Sequence, residues 1–100
     1  MSFASRMEEE ARLVILRVLS EQPDLRVNSS MLRDELDALW GINRTRDWLH
    51  VQLGWLAEMG AITVQDVATV KIATLTARGL DHVERRIVLP GVKRPSPAEA

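Results

Sequence analysis

The sequence contains no cysteine, which removes a disulfide framework, a thiolate zinc finger, an iron–sulfur cluster and a thiol nucleophile at once, and fits a reducing compartment. No apolar run approaches the roughly 18 residues of a membrane span. Glu8, Glu9 and Glu10 stand where a secretory leader would be basic and then apolar. A cytoplasmic protein is predicted. An excess of charge is missing too, since 13 basic and 14 acidic residues leave a net charge of −1. That balance disfavours a broad basic nucleic-acid face but not a local patch. No Gly-x-Ser-x-Gly elbow or glycine-rich phosphate loop occurs. The two histidines, His50 and His82, stand at metal-ligand spacing neither from each other nor from a carboxylate. His82, between Asp81 and Glu84, reads as a solvated surface residue. A protein without enzymatic activity, cofactor or metal is predicted.

The 100 residues, 46% apolar and 27% charged, describe one globular domain able to bury roughly two thirds of its unfolded surface. From about Arg6 to Glu21, Met7, Ala11, Val14, Ile15, Val18 and Leu19 recur at helical spacing, with the glutamates at the positive end of the helix dipole. Leu13 and Leu16 lie off that stripe and offer either a core edge or a second contact surface. Asn28-Ser29-Ser30 can cap a second helix carrying Leu32, Leu36 and Leu39, which ends near Trp40-Gly41. Trp40 is expected to plug the core at the turn. Thr45 can cap a third helix with Leu49, Leu53 and Leu56, which Gly60 terminates. Ile62–Val64 and Val70–Leu75 are β-branched runs around a loop from Gln65 to Thr69, the pattern of a hairpin. Thr76 caps a last helix carrying Ala77, Leu80, Val83 and Ile87. The expected domain covers residues 1–89. From 90 to 100, three prolines and no periodicity predict an extended, flexible tail.

The expected fold class is mainly α with a small β-hairpin: a three-helix core, a two-stranded wing and a C-terminal helix. Leu53-x-x-Leu56-x-x-x-Gly60-x-Ile62 resembles the exit of a winged-helix recognition helix, and Leu75-Thr76-Ala77-Arg78-Gly79-Leu80 resembles the Leu-Thr-x-x-Gly string that leaves the wing in bacterial regulators of this class. Over nearly its whole length the chain resembles small winged-helix proteins of Mu-like phages and prophages. The strings include Leu32-Arg33-Asp34-Glu35-Leu36, Leu53-Gly54-Trp55-Leu56-Ala57-Glu58 and Pro90-Gly91-Val92-Lys93-Arg94-Pro95. The resemblance implies a phage-derived, DNA-associated domain, with duplex DNA as partner.

In a helix-turn-helix the second helix of the pair enters the major groove. Arg44, Arg46, Asp47 and His50 thus become candidate DNA contacts, joined by Lys71 on the wing and by Lys93 and Arg94 in the basic tail. An ordinary solvated helix face is the other possibility. Asp34, Glu35 and Asp37 make the backbone-crossing helix acidic, and the expected wing tip carries Asp66 without a cation; both repel phosphate. Trp48, Val51, Trp55 and Met59 form a second apolar strip on the third helix. Either helix one and the wing cover it, or it joins Phe3, Leu13 and Leu16 as an interface. A homodimer is expected from that surface. The alternative function is a winged helix that docks a phage protein in an assembly or regulatory complex.

Overall fold

Among the described residues, each of the four helices starts on a side-chain oxygen that accepts the backbone N–H three residues on. The computed structural model, which describes residues 2–97, places Ser2 at the cap of α1 (Phe3–Ser20), Asn28 before α2 (Ser29–Trp40), Thr45 before α3 (Arg46–Glu58) and Thr76 before α4 (Ala77–Val83). Each such cap contributes about 1 kcal/mol. Ser2 starts α1 a turn earlier than the apolar stripe implies, so the three glutamates lie beyond its first turn. α2 stops at Gly41, whose φ of 66° is open to glycine at little cost, and Ile42 N–H then bonds back to the Leu36 carbonyl at 2.9 Å. Ile42 goes into the core and Trp40 stays 45% exposed, with Arg17 5.9 Å from its ring. Trp40 is therefore not the expected plug. Backbone geometry at the glycine turns the next residue inward instead.

β2 (Ile62–Val67) and β3 (Val70–Leu75) form the hairpin. The strand runs through Gln65 and Asp66, which were expected in the loop. Both pair across to Ile72 and Lys71, and Lys71 Nζ lies 2.5 Å from the Asp66 carboxylate, so opposite charges hold the exposed end together. A third strand, β1 (Arg26–Asn28), pairs antiparallel with the other edge of β3, giving the order β1-β3-β2. Three residues are too few to show alternation in a sequence, and only β3's free edge makes them a strand.

α1 runs through the middle of the molecule, and its Ala11, Leu13, Val14, Ile15, Leu16, Val18 and Leu19 are buried with Leu32, Leu36, Leu49, Leu53, Leu56, Ile62 and Leu75. Leu13 and Leu16 are 4% and 0% exposed and belong to the core, not to an interface. Elements packed on several sides of α1 use its widened apolar arc within one domain. α4 ends at Val83, before Ile87, and the chain turns at Arg85 with φ 65°. Residues 90–97 are not a loose tail. Leu89, Val92 and Pro95 are buried, Lys93 N–H bonds to the Glu9 carbonyl at 3.1 Å, and the Arg85 guanidinium donates to the Pro95 carbonyl. The tail's last three residues lie outside the described ones.

His82 explains why this segment docks. It is fully buried; Leu89 N–H donates to its Nδ1 at 3.0 Å, and its Nε2 lies 3.0 Å from the Lys93 carbonyl. An N–H can only donate, so the network assigns the neutral Nε2–H tautomer, one ring satisfying two backbone groups. The expectation of a solvated histidine fails because the folded-back segment, invisible to local sequence, covers it.

Candidate nucleic-acid interface

α3 has one face for the core and one for solvent. Leu49, Gln52, Leu53 and Leu56 are buried, while Arg46, Asp47, Val51, Gly54 and Glu58 are exposed. A Cβ at Gly54 would meet nothing within 4 Å. This glycine packs against nothing, and it leaves a low point in the middle of the outward face where another molecule can approach the backbone.

The N-terminal end of α3 gathers arginines. Arg46 occupies the first helical position, is exposed, and its side chain makes no hydrogen bond or ion pair among the described residues. Arg33, which sequence reasoning passed over, reaches from α2 and donates its Nε–H to the Arg44 carbonyl at 2.9 Å. Its only local signal was position, a basic residue amid the acids of α2. Arg33, Thr45, Arg46 and Asp47 line one shallow cleft. The positive end of the helix dipole adds to that charge. Arg44 instead folds back, with one guanidinium nitrogen 2.8 Å from Met7 Sδ, another donating to the Asn43 carbonyl, and its centre 5.9 Å from the Trp48 ring.

His50 sits at the junction of α3, the start of α2 and the wing. Its Nε2 is 2.9 Å from the Ser29 hydroxyl, and that oxygen also accepts the Lys71 backbone N–H at 3.0 Å. Ser29 is fully buried, so the Ser–His contact is structural and cannot serve as a nucleophile pair. Burial holds the His50 pKa below its usual 6.5, and the Lys71 and Arg46 charges add to the effect, against Asp47 and Asp66. Well above pH 6.5 the ring is neutral in both folded and unfolded chains, and its titration has no effect on stability. As pH falls from 6.5 through the folded value, the unfolded chain takes up the proton first and stability is lost. Denaturant melts at pH 7.5 and 5.5 should therefore show a larger drop for the wild type than for His50→Gln, in which this group no longer titrates.

The remaining candidates are dispersed. Lys71 is committed to Asp66, and Lys93 lies along α1 with Nζ 3.3 Å from Glu10. Arg94 lines a crevice with Trp40 and residues of α1, away from the start of α3. Phe3 is 71% exposed and Val51 66%, but Trp48 and Trp55 are only half-exposed. The expected strip is not a free face, because the Arg12 guanidinium lies 3.9 Å from the Trp55 ring centre and Gly91 packs on the ring's far edge. α1 and the C-terminal segment provide this cover of Trp55. Arg12 also donates to Gln52 Oε1 at 2.8 Å and to the Gly91 carbonyl at 2.9 Å, while Gln52 donates to Glu8 at 3.2 Å. A polar Gln52 within the leucine stripe and an i, i+4 Glu8–Arg12 pair were the legible signs of this network. Among the described residues, no group of three or more His, Cys, Asp or Glu could hold a metal ion, and no helix is long and apolar enough to cross a membrane.

No family model matches the chain. It is 44% identical to protein gp26 of Escherichia phage Mu over 91 residues, covering 91% of this chain and 93% of gp26. A Haemophilus influenzae protein is 38% identical over 81 residues, with coverages of 80% and 78%. Among solved structures, RosR of H. salinarum superposes with a TM-score of 0.67 at 22% identity over 76% of this chain and 67% of its own. F93 from STIV, a winged-helix DNA-binding protein, does so with 0.60 at 22% over 74% and 79%. Sco3205 of Streptomyces coelicolor, a MarR family transcriptional regulator solved in complex with DNA, scores 0.62 at 25% identity over 81% of this chain and 48% of its own. The element order, the wing and the extent of the match to gp26 agree, and the chain belongs to the gp26 family, the small winged-helix proteins of Mu-like phages and prophages.

Proposed function

We propose that this protein is a non-enzymatic DNA-binding module that serves transcriptional regulation or DNA handling in a phage or prophage, with α3 entering the major groove. The observation that carries the proposal is the arginine cluster at the start of α3, where exposed Arg46 and cross-braced Arg33 line one cleft, on a helix whose outward face is open at Gly54. Arg46 suits a guanine edge or a phosphate, and Arg33 a phosphate beside it. F93 and Sco3205, whose fold the chain shares, support the choice of DNA.

Few cations are uncommitted, so affinity for random duplex is expected to be weak and to fall steeply with salt. Fluorescence anisotropy across a salt series measures it. Arg46→Ala should cost about 1 to 3 kcal/mol at a base contact, or flatten the salt slope by about one at a phosphate contact. Asp66→Ala, which releases Lys71, should steepen the slope. A homodimer is part of the proposal, since two copies would double the few contacts and set recognition helices roughly 34 Å apart. Phe3 remains its exposed anchor, and sedimentation at high concentration tests it.

A second function, docking of a phage protein, is favoured by α2 rather than by the strip on α3. Met31, Leu39 and Trp40 are 62%, 68% and 45% exposed there, beside Asp34 and Asp37. Duplex affinity that is absent even at low ionic strength would overturn the DNA assignment in favour of this one.

A further inference from the structure

We propose that His50 is a titrating contact of the DNA face, and that the complex takes up one proton there, so that duplex affinity rises as pH falls from 8 to 6. This rests on the DNA-binding function proposed above. His50 stands one helical turn after Arg46 on α3, at the junction with α2 and the wing, beside the path a phosphate backbone would take if α3 enters the groove. Every element around it supplies a polar or charged group: Arg46 and Asp47 from α3, Ser29 from α2, Lys71 from β3 and Asp66 from β2.

In the free protein these groups favour a neutral ring. The Lys71 backbone N–H must donate to Ser29 Oγ, 3.0 Å away, which leaves the Ser29 hydroxyl proton for His50 Nε2 at 2.9 Å. That direction requires an unprotonated Nε2 and places the ring proton on Nδ1. Protonation would aim a second donor at the Ser29 oxygen, which is fully buried, and the hydroxyl would have to turn away from the ring. It would also add a positive charge beside Arg46 and Lys71. A DNA phosphate reverses the balance, because it offsets the Arg46 charge and is itself the anion that an imidazolium can contact. Binding and protonation of His50 are thereby coupled.

The test is the affinity of the wild-type protein for a random duplex at pH 6 and pH 8 and constant ionic strength, alongside His50→Gln. Gln keeps an oxygen that can accept the Ser29 hydroxyl but cannot be protonated near neutral pH. One coupled proton changes affinity by at most about tenfold per pH unit. The wild type is expected to bind about three- to tenfold more tightly at pH 6, and His50→Gln equally at both. Thermal melts confirm that the variant is folded. The His50 ring proton resonance, titrated with and without duplex, should show its midpoint moving up in the complex, a readout that does not depend on the variant. Binding without pH dependence, a pH dependence that persists in His50→Gln, or a midpoint unmoved by duplex overturns the proton linkage and leaves the DNA function standing. No salt-dependent binding at either pH overturns both.

Discussion

Replacing Gly79 by alanine is expected to destabilise the domain by about 2 kcal/mol, even though alanine is the better helix former. A Cβ on Gly79 would lie 2.2 Å from the Ala61 carbonyl oxygen and 2.7 Å from Leu75 Cδ1. Neither neighbour is free to yield. The Ala61 carbonyl accepts the Thr76 N–H at 3.1 Å, and Gly79's own N–H is capped by the Thr76 hydroxyl at 3.1 Å, so α4 is tied at the point of contact. The helix would have to lift off the entry of β2. For a domain this small the melting midpoint should fall by about 10 °C. Gly54→Ala is the matched control. With nothing within 4 Å of its Cβ, it should gain about 0.5 to 1 kcal/mol. Equal melting of Gly79→Ala and the wild type would show that α4 does not pack this closely.

Arg12→Ala should cost about 3 kcal/mol and free the C-terminal segment. The guanidinium bonds Gln52 and the Gly91 carbonyl and covers the Trp55 ring. Hydrogen bonds from a charged donor contribute about 1.5 to 3 kcal/mol each, and a cation over a tryptophan about 0.5 to 2. Removal also leaves the Gln52 carbonyl without its donor in a side chain that is 1% exposed. Arg12→Lys should recover little, because one ammonium cannot reproduce a planar fork that serves Gln52, Gly91 and Trp55 together. Trypsin should then cut sooner at Arg85, Arg86 or Lys93, and Trp55 emission should shift to the red. Wild-type melting and cleavage in Arg12→Ala would remove Arg12 as the link between α1, α3 and the C-terminal segment.

Periodicity and caps were enough for the helix order and the hairpin. Leucines at three and four, a cap oxygen at Asn28, Thr45 and Thr76, and glycine at 41 and 60 each act within a few residues, so the sequence carries them in full. It also marked Arg46, whose exposure follows from its place one residue after a cap. Contacts between distant segments needed the folded chain. β1 is a strand only because β3 has a free edge, and Leu13 and Leu16 are core only because α1 lies between packed elements. His82 is buried only because Leu89 and Lys93 fold back over it. The candidate site divides in the same way. Arg44 and Arg46 could be read from the turn, whereas the brace from Arg33, the commitment of Lys71 to Asp66 and the Ser29–His50 junction depend on residues 5 to 21 positions apart. A short-range pattern records propensity and exposure. Which polar groups meet is decided by tertiary packing, since a buried donor or acceptor takes the partner that the fold brings near it.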